Sequence, residues 1–296
     1  MSKEINGCRI EEGKTVVHHP NKYGDGVVTM ITDKYIYVRF DIGSRTFLWP
    51  SAFEKGFLEI GGELQQRFAV VKKIRNARDV LSARYKLTSD WVYSIYDYFP
   101  SAYRNCDVLD LGLAVYDSDA ILRYKDGNHD AVNFGTSAFM IAIQDIVVAC
   151  NLDCDVWLMS VPSSKIYKTS SVVRSIHDML DALNDHSDES WSIIPPTITV
   201  YDKTKCLTRV VNIESAHLSV DRPDIDTHLA SIKCQVGCVP TCVLVFLLDD
   251  VVTTGTTLLA CRKLLVDAGV PEEFVLGLTL GKTFDRLDYV DYLKVK

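Results

Sequence analysis

The segment from Thr15 to Leu58 reads as short apolar strands between turns, with a period-two alternation at Tyr35 to Phe40. Tyr35, Tyr37 and Arg39 interleave with Ile36, Val38 and Phe40, the mark of a half-buried strand. Val27, Val28, Met30 and Ile31 predict a strand after the Gly24-Asp25-Gly26 turn. Asp41-Ile42-Gly43-Ser44 reads as a hairpin turn, with Arg45 to Trp49 returning. Pro50 ends the ladder because it lacks an amide hydrogen. Residues 1–60 are therefore expected to form a small β-barrel. After Gly61-Gly62 the period changes. Leu64, Phe68, Val71, Ile74, Ala77 and Leu81 recur at three- and four-residue steps and predict a helix from Glu63 to Lys86. Ser89-Asp90 is placed to cap a second helix, with Trp91, Ile95 and Tyr98 on one face and Pro100 closing it. Residues 61–104 thus read as a helical connector.

From Cys106 onward apolar strands alternate with amphipathic helices. Ala138 to Cys150 and Ser170 to Leu183 predict helices; Asp155 to Val161 and Ile198 to Tyr201 predict strands. Val243 to Leu248 is apolar at every position, as a strand covered on both faces must be. Thr256 to Ala268 predicts a helix that stops at Gly269, and Phe274 to Leu280 a further strand. The alternation implies an α/β domain over residues 105–296, with a doubly wound parallel sheet.

Composition narrows the classes. The 296 residues are 47% hydrophobic and 24% charged, ordinary for a globular chain, and the net charge of −7 argues against broad coating of nucleic acid. No signal-like N-terminus and no apolar run long enough to span a bilayer is seen, so a cytoplasmic protein without membrane partners is expected. The nine cysteines then read as reduced and mostly buried. Cys234, Cys238 and Cys242 recur every four residues, with Cys150 and Cys154 elsewhere; structural zinc sites more often use C-x2-C pairs. Neighbouring His18 and His19 would point apart on a strand, which favours surface or core histidines over a shared metal.

The candidate chemistry lies in VLVFLLDDVVTTGTTL, Val243 to Leu258. The strand delivers Asp249 and Asp250 to its carboxyl end, where ligands bind in open α/β sheets. Two carboxylates ending a buried strand are costly unless ribose hydroxyls or Mg2+-bound water use them. Thr253, Thr254, Gly255, Thr256 and Thr257 then make a tight turn into a helix. Glycine permits positive φ, the amides at the helix start face an anion, and threonine hydroxyls add neutral donors. Lacking G-K-[ST], this is a monophosphate cradle and not a nucleotide P-loop.

These residues resemble the phosphoribosyl-pyrophosphate (PRPP) signature of type I phosphoribosyltransferases: apolar strand, [DE]-D, two apolar residues, T-x-G-x-[ST]. The resemblance implies that Asp249 and Asp250 hold the ribose hydroxyls and that Thr253 to Thr257 hold the 5′-phosphate. Leu276 to Thr283, LGLTLGKT, looks like the family's downstream strand. LRYKDG at Leu122 to Gly127, the helix Ala138 to Val148 and VWLMSVPSSK at Val156 to Lys165 are similar to ComF-type proteins. In type I enzymes the loop after that strand meets pyrophosphate, the place where Ser163, Ser164 and Lys165 stand; the alternative is that Lys165 sits exposed at a helix start. A ComF-type zinc ribbon has no counterpart here, and YKTSSVVRS at Tyr167 to Ser175 stands near the place of the family's R-G-[FY]-N-Q segment. The polar stretch Leu207 to Ile232 corresponds to a region that often holds a closing loop. Arg209, Ser215, His217 and Arg222 would then cover pyrophosphate; otherwise the stretch is a solvated excursion.

Val17, His19, Tyr23, Gly24, Gly26 and Val28, followed by Val38 and Phe40, resemble the Tudor/SH3-like barrels of UvrD-type helicases. This implies a module that binds protein or nucleic acid, against the alternative of a barrel that only packs. The expected activity is Mg2+-dependent transfer of phosphoribosyl from PRPP to a nitrogenous base or other acceptor, releasing pyrophosphate. The alternatives are a non-catalytic PRPP or nucleotide sensor, or an effector of competence or defence with a partner-binding barrel. Relatives often dimerise, so a homodimer is a mild expectation.

Overall fold

A computed structural model describes residues 2–5, 8–18, 23–60, 63–99, 112–152, 154–166, 168–184, 198–213, 223–237, 239–240 and 243–283. The chain divides into two compact units, residues 1–74 with 237–242, and residues 75–236 with 243–296.

The first unit begins with the hairpin β1 (Lys3–Ile5) and β2 (Cys8–Ile10). Strands β3 (Thr15–His18), β4 (Asp25–Ile31), β5 (Tyr35–Phe40), β6 (Gly43–Leu48) and β7 (Leu58–Ile60) form one antiparallel sheet in the order β6-β5-β4-β3-β7. The sheet curls as a half-barrel. The short helix α1 (Ser51–Glu54) precedes β7. The period-two reading holds along β5, where Ile36, Val38 and Phe40 are buried and Arg39 is exposed. They join Ile10, Val16, Val28, Ile31, Ala52 and Leu58 in one core. His18 is a core histidine, buried with its ring 4.3 Å from that of Tyr23; His19 lies outside the described residues.

Helix α2 (Glu63–Ser82) ends short of the expected Lys86; it buries Ile74, Ala77 and Leu81 of the expected stripe, with Val70 buried where Val71 was expected. The expected second connector helix is not formed in the described residues 83–99. In its place β8 (Lys86–Ser89) and β9 (Val92–Tyr98) form a hairpin. Val92, Tyr93, Ile95, Tyr96 and Tyr98 are β-branched or aromatic, residues that suit a pleated sheet better than a helix. Trp91, Ile95 and Tyr98 match a helical stripe too, and in so short a segment sheet pairing decides.

The second unit continues with α3 (Gly112–Lys125), α4 (His129–Ala149), β10 (Asp155–Ser160), α5 (Ser171–Asn184), β11 (Val200–Asp202), β12 (Leu207–Arg209), α6 (Ile225–Ser231), β13 (Ile232–Cys234), β14 (Val243–Val252), α7 (Thr256–Asp267) and β15 (Val275–Thr283). Its mixed sheet has the order β11-β10-β14-β15-β9-β8. All neighbours are parallel except β8 against β9. Val243 to Leu248 are fully buried; successive residues point to opposite faces, so both faces are covered. Helices α3, α4 and α5 pack on one another, as do α6 and α7. Gly135 brings α4 against the ring of Tyr124; a Cβ there would lie 2.3 Å from Tyr124 Cε2.

Helix α4 also corrects the expectation that no segment is long enough to cross a membrane. His129–Ala149 meets that criterion by length and composition. Ten of its residues are nonetheless buried within the fold, among them Val132, Phe139, Ile143 and Val147.

The chain leaves β10 through α5 for β11 on one side, and leaves β14 through α7 for β15 on the other. Strands β10 and β14 are neighbours, so the winding direction reverses between them. A crevice outside the carboxyl ends of such a strand pair is where open α/β sheets bind ligands.

Candidate functional site

A cleft of about 440 Å³ lies at that switch point. One wall is the end of β14 with the following turn, Asp249 to Leu258; the other is the loop after β10, Val161 to Lys165. Lys125, Lys168, Ser170, Arg209 and His228 complete the part of the lining that matters for charge and hydrogen bonding.

The first wall is made by its own sequence. Strand β14 runs past Leu248 and carries both carboxylates within it. The Asp250 amide donates to Asp249 Oδ1 at 2.9 Å, and the Val251 amide to Asp250 Oδ1 at 2.7 Å. Burial, and then the neighbouring Asp250 charge, push the Asp249 carboxyl well above the usual carboxylate range; Lys125 partly opposes this. Lys125 Nζ lies 3.6 Å from Asp250 Oδ2. Gly255 caps α7 in the left-handed region, φ 77°, and no side chain caps the helix. The first amides of α7 therefore have no intrahelical acceptor and are available to an anion. The hydroxyls of Thr254 and Thr256 are 2.9 Å apart.

The second wall is held from outside. Arg209, at the end of β12, is almost fully buried. Its Nε donates to Ser163 O at 2.9 Å, Nη2 to Pro162 O at 3.3 Å and Nη1 to Ser231 Oγ at 2.5 Å. The Ile166 amide donates to Asn212 Oδ1 at 2.7 Å, and the Ile213 amide to Ser164 O at 3.0 Å. The loop is thus clamped by the segment after β12, while Lys165 stays exposed. Burial lowers the pKa of Arg209.

The residue before Lys125 belongs to a buried network. The Tyr124 side chain is fully buried, its hydroxyl 3.0 Å from Ser175 Oγ, to which Thr136 Oγ1 donates at 2.9 Å. The Ser171 hydroxyl donates to the Tyr124 carbonyl, tying α3 to the start of α5.

Of the residues singled out in the sequence, Asp249, Asp250, Thr253, Thr254, Gly255, Thr256, Thr257, Ser163, Ser164, Lys165 and Arg209 all line this one cleft. Ser215, His217 and Arg222 lie outside the described residues, as do Cys238 and Cys242. The described parts of the stretch, 207–213 and 223–232, hold β12, α6 and the start of β13, and β12 pairs antiparallel with β13. Sequence reading missed Lys125, Lys168, Asn212 and His228. Lys125 lies within the run LRYKDG, and its place at the end of a helix facing the acidic pair has no local signal. His228 reaches the cleft, and Asn212 the loop beside it, only through tertiary packing.

Among the described residues no group of three or more His, Cys, Asp and Glu is arranged for a metal ion. Asp249 and Asp250 alone do not make a protein cage. They do fit Mg2+ carried in on a phosphorylated ligand, since Mg2+ keeps several waters and takes one or two carboxylates beside substrate oxygens.

The sequence matches no protein-family model and no curated protein.

Proposed function

We propose that the cleft binds a 5-phosphoribosyl ligand, PRPP in the first instance, within a domain of type I phosphoribosyltransferase kind, and that the protein transfers phosphoribosyl to a nitrogenous base or other acceptor. The observation that carries this reading is the meeting, at a sheet switch point, of a paired-acid strand end, an uncapped Thr-Gly-Thr helix start and a lysine-bearing loop. Lys125, Lys165, Lys168 and Arg209 against Asp249 and Asp250 give the lining a surplus of cations, as a polyanion requires.

Each part has a task in such a reaction. The Thr253–Thr257 turn holds the 5′-phosphate, and Asp249 and Asp250 hold the ribose hydroxyls. Ser163, Ser164 and Lys165 meet the diphosphate; Arg209 holds their loop in place. Mg2+, when bound through Asp249 and Asp250 by way of water, would offset charge on the diphosphate. The bond from the anomeric carbon to the diphosphate oxygen breaks, charge accumulates on the leaving group, and the acceptor's lone pair forms the new bond. Catalysis is then mainly positioning and charge stabilisation.

The half-barrel supports a second reading, a PRPP-sensing regulator. Its Tudor/SH3-like resemblance suits a module for a protein or nucleic-acid partner, whether in regulation, competence or defence. Either version accords with a cytoplasmic protein, and a homodimer is compatible with both.

Calorimetry with PRPP and Mg2+ tests the reading on the wild type and on Asp249→Asn/Asp250→Asn. Binding by the wild type that the variant loses supports it; a folded wild type that does not bind PRPP ends it. Pyrophosphate release across a panel of bases then separates transferase from sensor.

A further inference from the structure

His228 sits on α6, lines the cleft and is 6% exposed. Its Nε2 lies 3.4 Å from Thr257 Oγ1, at the outer edge of hydrogen-bond range, and its Nδ1 is buried with no partner. The two neutral tautomers have different consequences. With the proton on Nδ1, Nε2 must accept the Thr257 hydroxyl hydrogen, turning that hydroxyl's lone pairs toward the cleft. With the proton on Nε2, the imidazole donates to Thr257 Oγ1, and the threonine O–H is free to point at a ligand oxygen. Only the second arrangement makes Thr257 a donor to an anion.

We propose that His228 is a positioning residue of the anion cradle: its Nε2–H orients the Thr257 hydroxyl toward a bound phosphoryl group, and its Nδ1 takes up a proton from solvent when the dianion binds. This deepens the phosphoribosyl reading and rests on it. The groups around the imidazole agree. Burial first, and then the Arg209 charge on β12, hold its pKa below the usual histidine value, while Asp224 at the start of α6 opposes them. On α7 the titratable group one turn beyond Thr257 is the Cys261 thiol, which burial keeps protonated. On β13 burial raises the Cys234 thiol to about 11. These groups together favour the neutral imidazole, and a phosphate dianion on Thr257 would supply the opposite charge that favours the imidazolium.

The test is calorimetric titration of the full chain with ribose 5-phosphate from pH 6 to 8, in two buffers of different ionisation enthalpy. Wild type should take up more protons than His228→Gln, whose amide nitrogen can still donate to Thr257 but cannot titrate. The difference removes the ligand's own phosphate titration. Affinities should converge at pH 8 and diverge toward pH 6, about tenfold for each unit by which His228 shifts. His228→Leu should bind more weakly throughout. Nitrogen-15 histidine spectra of the wild type provide a readout that needs no variant: one imidazole should show the Nε2–H tautomer and a pKa that rises with ribose 5-phosphate. Equal proton uptake in wild type and His228→Gln, or no pKa change among the seven histidines despite binding, overturns the role of His228 and leaves the cradle standing. A wild type that binds neither ribose 5-phosphate nor PRPP overturns both.

Discussion

The turn Thr253–Gly255 and the loop Pro162–Ile166 line the same cleft, yet they are stabilised in different ways. The turn is determined by residues within it and next to it: two carboxylates that take their own neighbours' amides, a glycine with positive φ, and a helix that starts at once. The loop has little of its own. Its carbonyls and the Ile166 amide are satisfied by Arg209, Asn212 and Ile213, some 45 residues later. A local wall should respond to local substitutions, and a clamped wall to changes far away in sequence.

The sharpest way to break the contrast is Arg209→Ala. It leaves the carbonyls of Pro162 and Ser163 and the Ser231 hydroxyl without this donor, within a nearly dry site. A loss of about 3 kcal/mol in denaturant unfolding is expected, the scale of a buried charged hydrogen-bond group. Ligand binding should weaken with it. Arg209→Lys should not restore either, because an ammonium on a flexible stem cannot span three acceptors set around a planar fork.

Gly255→Ala makes the corresponding cut in the local wall. The nearest atom to an added Cβ would be Val252 Cγ2 at 3.6 Å, so space is present and the left-handed backbone is the obstacle. About 1–2 kcal/mol of stability should be lost. Gly255→Asn, which tolerates that conformation better, should lose less; equal losses would mean that the turn is held from elsewhere.

Asp249→Asn separates stability from binding. The folded-state pKa of Asp249 is raised, so between its unfolded and folded values the native protein holds the extra proton. The empty protein therefore loses stability as pH rises through that window and bears the whole cost above it. At neutral pH the variant should gain roughly 0.5–2 kcal/mol, seen as a higher Tm, and the gain should vanish in acid. PRPP binding should fall at the same time. A variant less stable than wild type at pH 7 would show that the carboxylate is already compensated within the fold.

The same contrast explains what could be read from the chain. Strand β5 repeats a period and β14 an apolar run that burial enforces, and the turn's chemistry is written in consecutive residues, so these were legible. Strand β9 was not: Trp91, Ile95 and Tyr98 satisfy a helical spacing as well as a strand, and only its partner β15, nearly two hundred residues away, settles the matter. Lys125, Asn212 and His228 were missed for a related reason. Each is an ordinary polar residue locally and acquires a role through an element that packs beside it. Arg209 was found as a candidate ligand contact; its three protein acceptors, which give it a clamping role as well, could not be read from the chain.

The smallest expected effect is the most discriminating. Asn212 Oδ1 accepts one exposed amide hydrogen, that of Ile166, at 2.7 Å. Water can replace it, so Asn212→Ala should cost only about 0.5 kcal/mol in global stability. The bond nevertheless sits one residue beyond Lys165, the exposed cation that the loop presents to the cleft. Freeing Ile166 should let the Ser164–Lys165 segment sample more conformations, and binding a diphosphate would then have to order it. The penalty should appear for PRPP and be absent for ribose 5-phosphate, which engages only the local wall. Calorimetry with the two ligands reads the difference directly. If Asn212→Ala weakens both equally, the two walls are one mechanical unit. If it weakens neither, the clamp of Arg209 and Ile213 suffices by itself, and Lys165 owes its position to them alone.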